Sequence, residues 1–126
     1  MSKTIVYSEQ APEPIGPYSQ AVQAGNMLFI SGQIAIERST NALITDNIES
    51  ETRLVMKNLE AILKAAGMDF VNVVKSTIFL TDMGNFPKVN TIYGEFFPSN
   101  PPARETVEVK GLPKGVNVEI SCIAVK

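Results

Sequence analysis

The sequence predicts one α/β (α+β) domain with the element order β-β-β-α-β-α-β-β, its two helices covering one face of a sheet. Three observations predict it. The 126 residues suit one domain and can bury a core without disulfides or metals. Apolar residues recur at helical spacing in two stretches and alternate, or run nearly unbroken, in the others. Prolines gather between these stretches, at Pro12–Pro17, Pro98–Pro102 and Pro113, where they mark loops.

Thr4–Tyr7 is read as a short first strand. Ala21–Ala24 and Met27–Ile34 form a hairpin across Gly25-Asn26, two residues that tolerate the positive φ of a tight hairpin turn. A helix is expected from Asn47 to Ala66. Asp46 and Glu49 have capping-box spacing, and Ile48, Val55, Met56, Leu59, Ile62, Leu63 and Ala66 form one apolar face. Gly67 is a natural C-terminal cap, and Glu60 and Lys64 make a favourable i,i+4 pair.

Val73–Leu80 is β-branched and apolar, as suits a central strand covered on both faces. Asn85 caps a second helix with Pro87 in its first turn and Phe86, Val89, Tyr93, Phe96 and Phe97 at helical spacing; Pro98 ends it. Ala103–Val109 and Asn117–Val125 alternate. If these two strands pair through the Gly111–Gly115 loop, their apolar sets share a face, and Arg104 and Thr106 share the other with Glu119 and Ser121. That face would mix Phe79 and Ile123 with Arg104 and Glu119, which suggests oligomerisation with clefts between subunits.

Composition narrows the chemistry. The formal net charge is −2, with eleven Lys and Arg among thirteen Asp and Glu, so no basic footprint for nucleic acid is evident. The N-terminal residues lack the apolar stretch of a secretory signal, no apolar run reaches the length of a membrane span, and Cys122 has no intrachain partner; a cytosolic protein is expected. Histidine is absent, which excludes Ser-His-Asp and Cys-His catalysis and removes the commonest zinc ligand. No Gly-rich phosphate loop, dinucleotide fingerprint or metal motif is present, and neither metal nor cofactor is expected.

Arg104 reads either as a structural ion pair, with Glu119 or Glu108, or as a bidentate clamp on a substrate carboxylate, which its planar fork matches. Glu119 reads as a solvent-facing carboxylate or as a base for water. Ser31-Gly32 interrupts an apolar strand; a bulge is the commoner reason, a close ligand approach the other. Tyr18 reads first as a loop aromatic packed on the core, and Asn90 as a helix-surface or capping residue. Cys122 reads as a small buried hydrophobe. The Phe and Tyr residues of the second helix read as core.

Assembled in order, several segments resemble the RidA/YjgF family of reactive-intermediate deaminases over nearly the whole chain. They are Ile15-Gly16-Pro17-Tyr18-Ser19-Gln20-Ala21, Gly25-Asn26, Ile30-Ser31-Gly32-Gln33-Ile34, Phe86 to Phe97, Pro102-Ala103-Arg104-Glu105-Thr106-Val107-Glu108-Val109, Leu112-Pro113 and Val118-Glu119-Ile120. The resemblance implies a chorismate-mutase-like fold with a mixed sheet, assembled as a homotrimer around a central barrel with intersubunit clefts. It implies cofactor-free hydrolysis of enamines and imines, such as 2-aminoacrylate, to 2-keto acids and ammonia. By resemblance, Arg104 binds the carboxylate and Glu119 handles the attacking water. Tyr18, Ser31, Gly32, Asn90 and Thr106 line the cleft. Many members carry Cys where this chain has Thr106, which bears on substrate preference. A non-catalytic sensor of small acids, an RNA-directed translation inhibitor and a chaperone-like protein are the rival readings.

Overall fold

A computed structural model describes residues 2–126. The strands are β1 (Lys3–Val6), β2 (Ala21–Ala24), β3 (Met27–Gln33), β4 (Ile36–Glu37), β5 (Ala42–Leu43), β6 (Val73–Leu80), β7 (Ala103–Glu108) and β8 (Val118–Val125); the helices are α1 (Ile48–Ala65) and α2 (Phe86–Glu95). The six long strands form one mixed sheet in the order β1-β2-β3-β8-β6-β7. Only β6 and β7 run parallel; the other neighbours are antiparallel. β4 and β5 make a separate small ribbon, for which the sequence analysis names no element.

The expected order of elements therefore holds, but one expected pairing does not. β7 and β8 are not neighbours, because β6 lies between them. The β6–α2–β7 segment is a crossover, and a helical crossover returns the chain parallel to the strand it left. β7 is consequently the sheet's edge, where its Glu105 and Glu108 stay exposed. β8 buries Val118, Ile120, Cys122 and Ala124 completely or nearly so, which only an interior position allows.

The helix signals are mostly local and mostly hold. Asn47, not Asp46, caps α1: its side chain accepts from the Ser50 backbone N–H at 2.8 Å. At the other end Gly67 has φ +71, its N–H bonds to Lys64 O and the Met68 N–H to Leu63 O, a complete Schellman closure. Asn85 makes no side-chain cap on α2, because a preceding 3-10 turn already delivers the backbone there; Asp82 caps that turn instead. Phe96 and Phe97 fall just beyond α2 yet still pack on the core. Val55, Met56, Leu59, Ile62 and Leu63 of α1 are fully buried over Leu28, Ile78, Val118 and Ile120 of the sheet.

Among the described residues, no helix covers the other sheet face. Ile5, Met27, Phe29 and Val107 are exposed on it. Among the described residues, no helix is long and apolar enough to cross a membrane.

Candidate functional site

Register decides which side chains meet. Ser76 of β6 lies opposite both Arg104 and Cys122, and Ile78 opposite both Thr106 and Ile120. Arg104 and Thr106 therefore share the helix-covered face with the apolar residues of β8. Phe79 lies opposite both Glu119 and Val107, so Glu119 belongs to the uncovered face. The expectation that Arg104 and Thr106 share a face with Glu119 and Ser121 is overturned. It assumed direct pairing of β7 with β8, and the intervening parallel strand sets a different register.

Two separate half-sites result. In the first, Phe86, Asn90 and Tyr93 recur at i, i+4, i+7 along α2 and form a stripe facing the edge strand. Asn90 is exposed on the surface of α2, as expected, and is not a cap: its Oδ1 accepts from Arg104 Nη1 at 2.8 Å. The guanidinium carbon stands 5.0 Å from the Tyr93 ring centre and 5.4 Å from that of Phe86. Among the described residues, no carboxylate lies within ion-pair distance of Arg104; Glu108 instead accepts from the Met83 backbone N–H. The structural ion pair considered from sequence is absent. A cavity of about 430 Å³ opens beside the guanidinium, lined by Asn90, Tyr93, Gly94, Phe97, Pro101 and Pro102. The Thr106 and Tyr93 hydroxyls are buried without hydrogen-bond partners, so the Thr106 hydroxyl is turned away from the cleft.

In the second half-site, a cavity of about 300 Å³ is lined by Ile15, Tyr18, Ser31, Gly32, Pro113 and Glu119. The β3–β8 register shifts between Ile30 and Gln33, so Ser31-Gly32 is a bulge. It is also a close approach: a Cβ on Gly32 would stand 2.8 Å from the Glu119 carboxyl carbon. Glycine at this position makes room for the Glu119 side chain. Ser31 Oγ donates to Ser19 O at 2.6 Å, fixing the loop that carries Tyr18. Buried Gln20 anchors the same loop, accepting from Ser8 N at 2.6 Å and donating to Pro12 O at 2.9 Å. Tyr18 itself is exposed, not packed on the core.

Electrostatics distinguish the acids. Burial without a partner raises the pKa of Glu119 above the ordinary carboxylate value. Burial pushes the Cys122 thiol up to about 11, which suits a hydrophobe and not a nucleophile. Among the described residues, no group of three His, Cys, Asp or Glu side chains is placed to hold a metal ion.

Phe86 and Tyr93 belong to the core, as expected, and in addition face Arg104, which sequence reasoning does not foresee; nor does it foresee Ile15, Pro113 and the Pro101-Pro102 wall. The i, i+4, i+7 spacing of Phe86 and Tyr93 with Asn90 was the available signal. The cavity walls carried none.

The family described as Endoribonuclease L-PSP matches residues 8–126. The chain is 50% identical over 127 residues to Protein DfrA of Myxococcus xanthus, covering 99% of this chain and 97% of the relative. It is 44% identical over 124 residues to the human 2-iminobutanoate/2-iminopropanoate deaminase, covering 98% and 90%. The chain belongs to the RidA/YjgF family. A crystal structure of a conserved Rid-family protein from Yersinia pestis superposes with a TM-score of 0.96 at 45% identity, covering 99% of this chain and all of that one (100%). The Rid fold thus agrees with the mixed sheet and two helices described above.

Proposed function

We propose that the protein is an enamine/imine deaminase that hydrolyses short-lived 2-imino acids to 2-keto acids and ammonia. The observation that carries this reading is Arg104, a guanidinium oriented by Asn90 and two rings beside a cavity, with no carboxylate of its own chain to neutralise it. A small carboxylate supplies the missing charge and matches the fork. The human relative bears the name of this activity.

The second catalytic group is Glu119, on the opposite sheet face, so one protomer does not hold both groups around one small molecule. A second copy resolves this. Ile5, Phe29 and Val107 form an exposed apolar face suited to burial between copies, and three copies closing around a barrel would bring the Arg104 half of one against the Glu119 half of the next. Tyr18, Ser31 and Gly32 then come with Glu119, and Asn90 and Thr106 with Arg104.

The chemistry needs only orientation and one proton carrier. Arg104 holds the carboxylate and so fixes the electrophilic imine carbon. Glu119, ionised, takes a proton from water as its oxygen attacks that carbon. Glu119 passes that proton to the imine nitrogen, which gives the carbinolamine; it then takes the carbinolamine hydroxyl proton and delivers it to the same nitrogen, the C–N bond breaks, ammonia leaves and the keto acid carbonyl forms. Both protons taken from oxygen are returned to nitrogen, so the side chain ends as it began. The net charge of −2 and a pI of about 5.1 argue against RNA as the partner.

The test is a coupled assay in which imines generated from several amino acids are presented to the wild type and to Arg104→Ala. Ammonia and keto-acid release should fall at least about a hundredfold in the variant, the loss expected when orientation of a reactant is removed, while its thermal unfolding stays unchanged. Undiminished turnover in a folded Arg104→Ala protein overturns the reading.

A further inference from the structure

Arg104 is a long side chain on an exposed edge strand, where an unsupported guanidinium would sample many rotamers. Asn90 bonds one nitrogen, Nη1, and a single hydrogen bond leaves the plane of the fork free to turn about it. Two-pronged recognition of a carboxylate needs that plane fixed. The structure supplies the missing restraint. Tyr93 is buried, and its ring centre lies 5.0 Å from the Arg104 guanidinium carbon. Tyr93 cannot swing away, because its ring packs 4.8 Å from Phe97, which packs 5.3 Å from Phe70, which in turn packs 5.3 Å from Phe96. The guanidinium thus rests on the end of a chain of interlocked aromatic rings rooted in the core.

We propose that Tyr93 is a positioning residue: its ring, braced by Phe97 and Phe70, sets the plane of the Arg104 guanidinium so that the edge not bonded to Asn90 receives a carboxylate. The inference rests on the reading of Arg104 as a carboxylate anchor, not on deamination itself. The ring carries the role and the hydroxyl does not, because that hydroxyl is buried toward Ser76 and makes no hydrogen bond to Arg104 or Asn90. Phenylalanine should therefore serve, and a non-aromatic side chain of similar volume should not.

The experiment measures binding of pyruvate, an unreactive small carboxylate, by calorimetric titration of the full-length protein, with thermal unfolding alongside. Tyr93→Phe should bind within about twofold of wild type and be at least as stable. Tyr93→Met should bind about three- to tenfold more weakly, because a fork whose plane is free meets the carboxylate with one prong in place of two. In an Arg104→Lys background the same Met substitution should change binding less than twofold, since an ammonium has no plane to set. Equal losses in the Arg and Lys backgrounds, or no loss in Tyr93→Met, overturn the proposal. A second readout needs no variant to fold: in wild-type protein the Arg104 guanidinium protons should show an upfield ring-current shift by NMR, and unshifted resonances overturn it. Wild type that binds no pyruvate defeats the anchor reading; pyruvate binding indifferent to Tyr93 defeats only this inference.

Discussion

Glu119 lies half-buried beside Gly32, and among the described residues no group donates a hydrogen bond to it or pairs with its charge. Burial therefore disfavours the ionised form and lifts its pKa above the ordinary carboxylate value. Two consequences separate catalysis from stability. As the base for water, Glu119 must be ionised, so turnover should fall as pH drops through this raised pKa. Glu119→Gln should cut turnover strongly, remove that acid limb and leave pyruvate binding nearly intact. For folding, the native state holds the proton more tightly than the unfolded chain. Glu119 therefore costs nothing below its unfolded pKa and becomes a cost as pH rises through the folded one. Glu119→Gln should melt higher than wild type at neutral pH, with the difference vanishing near about pH 3, below the ordinary carboxylate range. Melting curves across pH check this; a variant less stable than wild type at pH 7 contradicts the desolvated carboxylate.

At the scale of elements, α1 positions β8 as well as the core. Glu51 in its first turn is completely buried and accepts from Asn117 N at 2.7 Å, Asn117 Nδ2 at 2.8 Å and Val118 N at 3.2 Å. These bonds fix the residues just ahead of Glu119. Glu51→Ala orphans two backbone donors at the start of β8 and should cost about 2–6 kcal/mol, at ~1–3 kcal/mol per unsatisfied buried group. Denaturant unfolding measures it, and a loss under 1 kcal/mol would show that water replaces the carboxylate. The sequence reading passed over Glu51, since a Glu in a first helical turn looks like ordinary dipole complementation. This marks the limit of what was legible. The six strands of the main sheet and both helices announced themselves through local patterning, the short β4–β5 ribbon did not, and the bulge at Ser31-Gly32 showed through its break in the pattern. Which strands pair is a non-local fact: the alternation of β7 and β8 is the same whether they touch or flank β6. The error in pairing carried Arg104 to the wrong sheet face.

For the whole molecule, the two sheet faces are the decisive geometry. Arg104 and Asn90 belong to the face under the helices, Glu119 and Gly32 to the face left open, and the two cavities share no lining residue. A site built from both halves must be shared between copies of the chain. Complementation then gives a sharp expectation. Arg104→Ala and Glu119→Ala proteins should each be inactive. When the two are unfolded together and refolded as an equal mixture, some clefts will pair the intact Arg104 of one chain with the intact Glu119 of its neighbour. In a closed ring of equivalent interfaces with random assortment, about one quarter of the clefts are intact, so the mixture should recover about one quarter of wild-type turnover. Sites contained within single chains would recover none, because every chain in the mixture lacks one group. Refolding each variant alone provides the baseline, and turnover of the mixture above that baseline measures how much of the active centre the neighbouring chain provides.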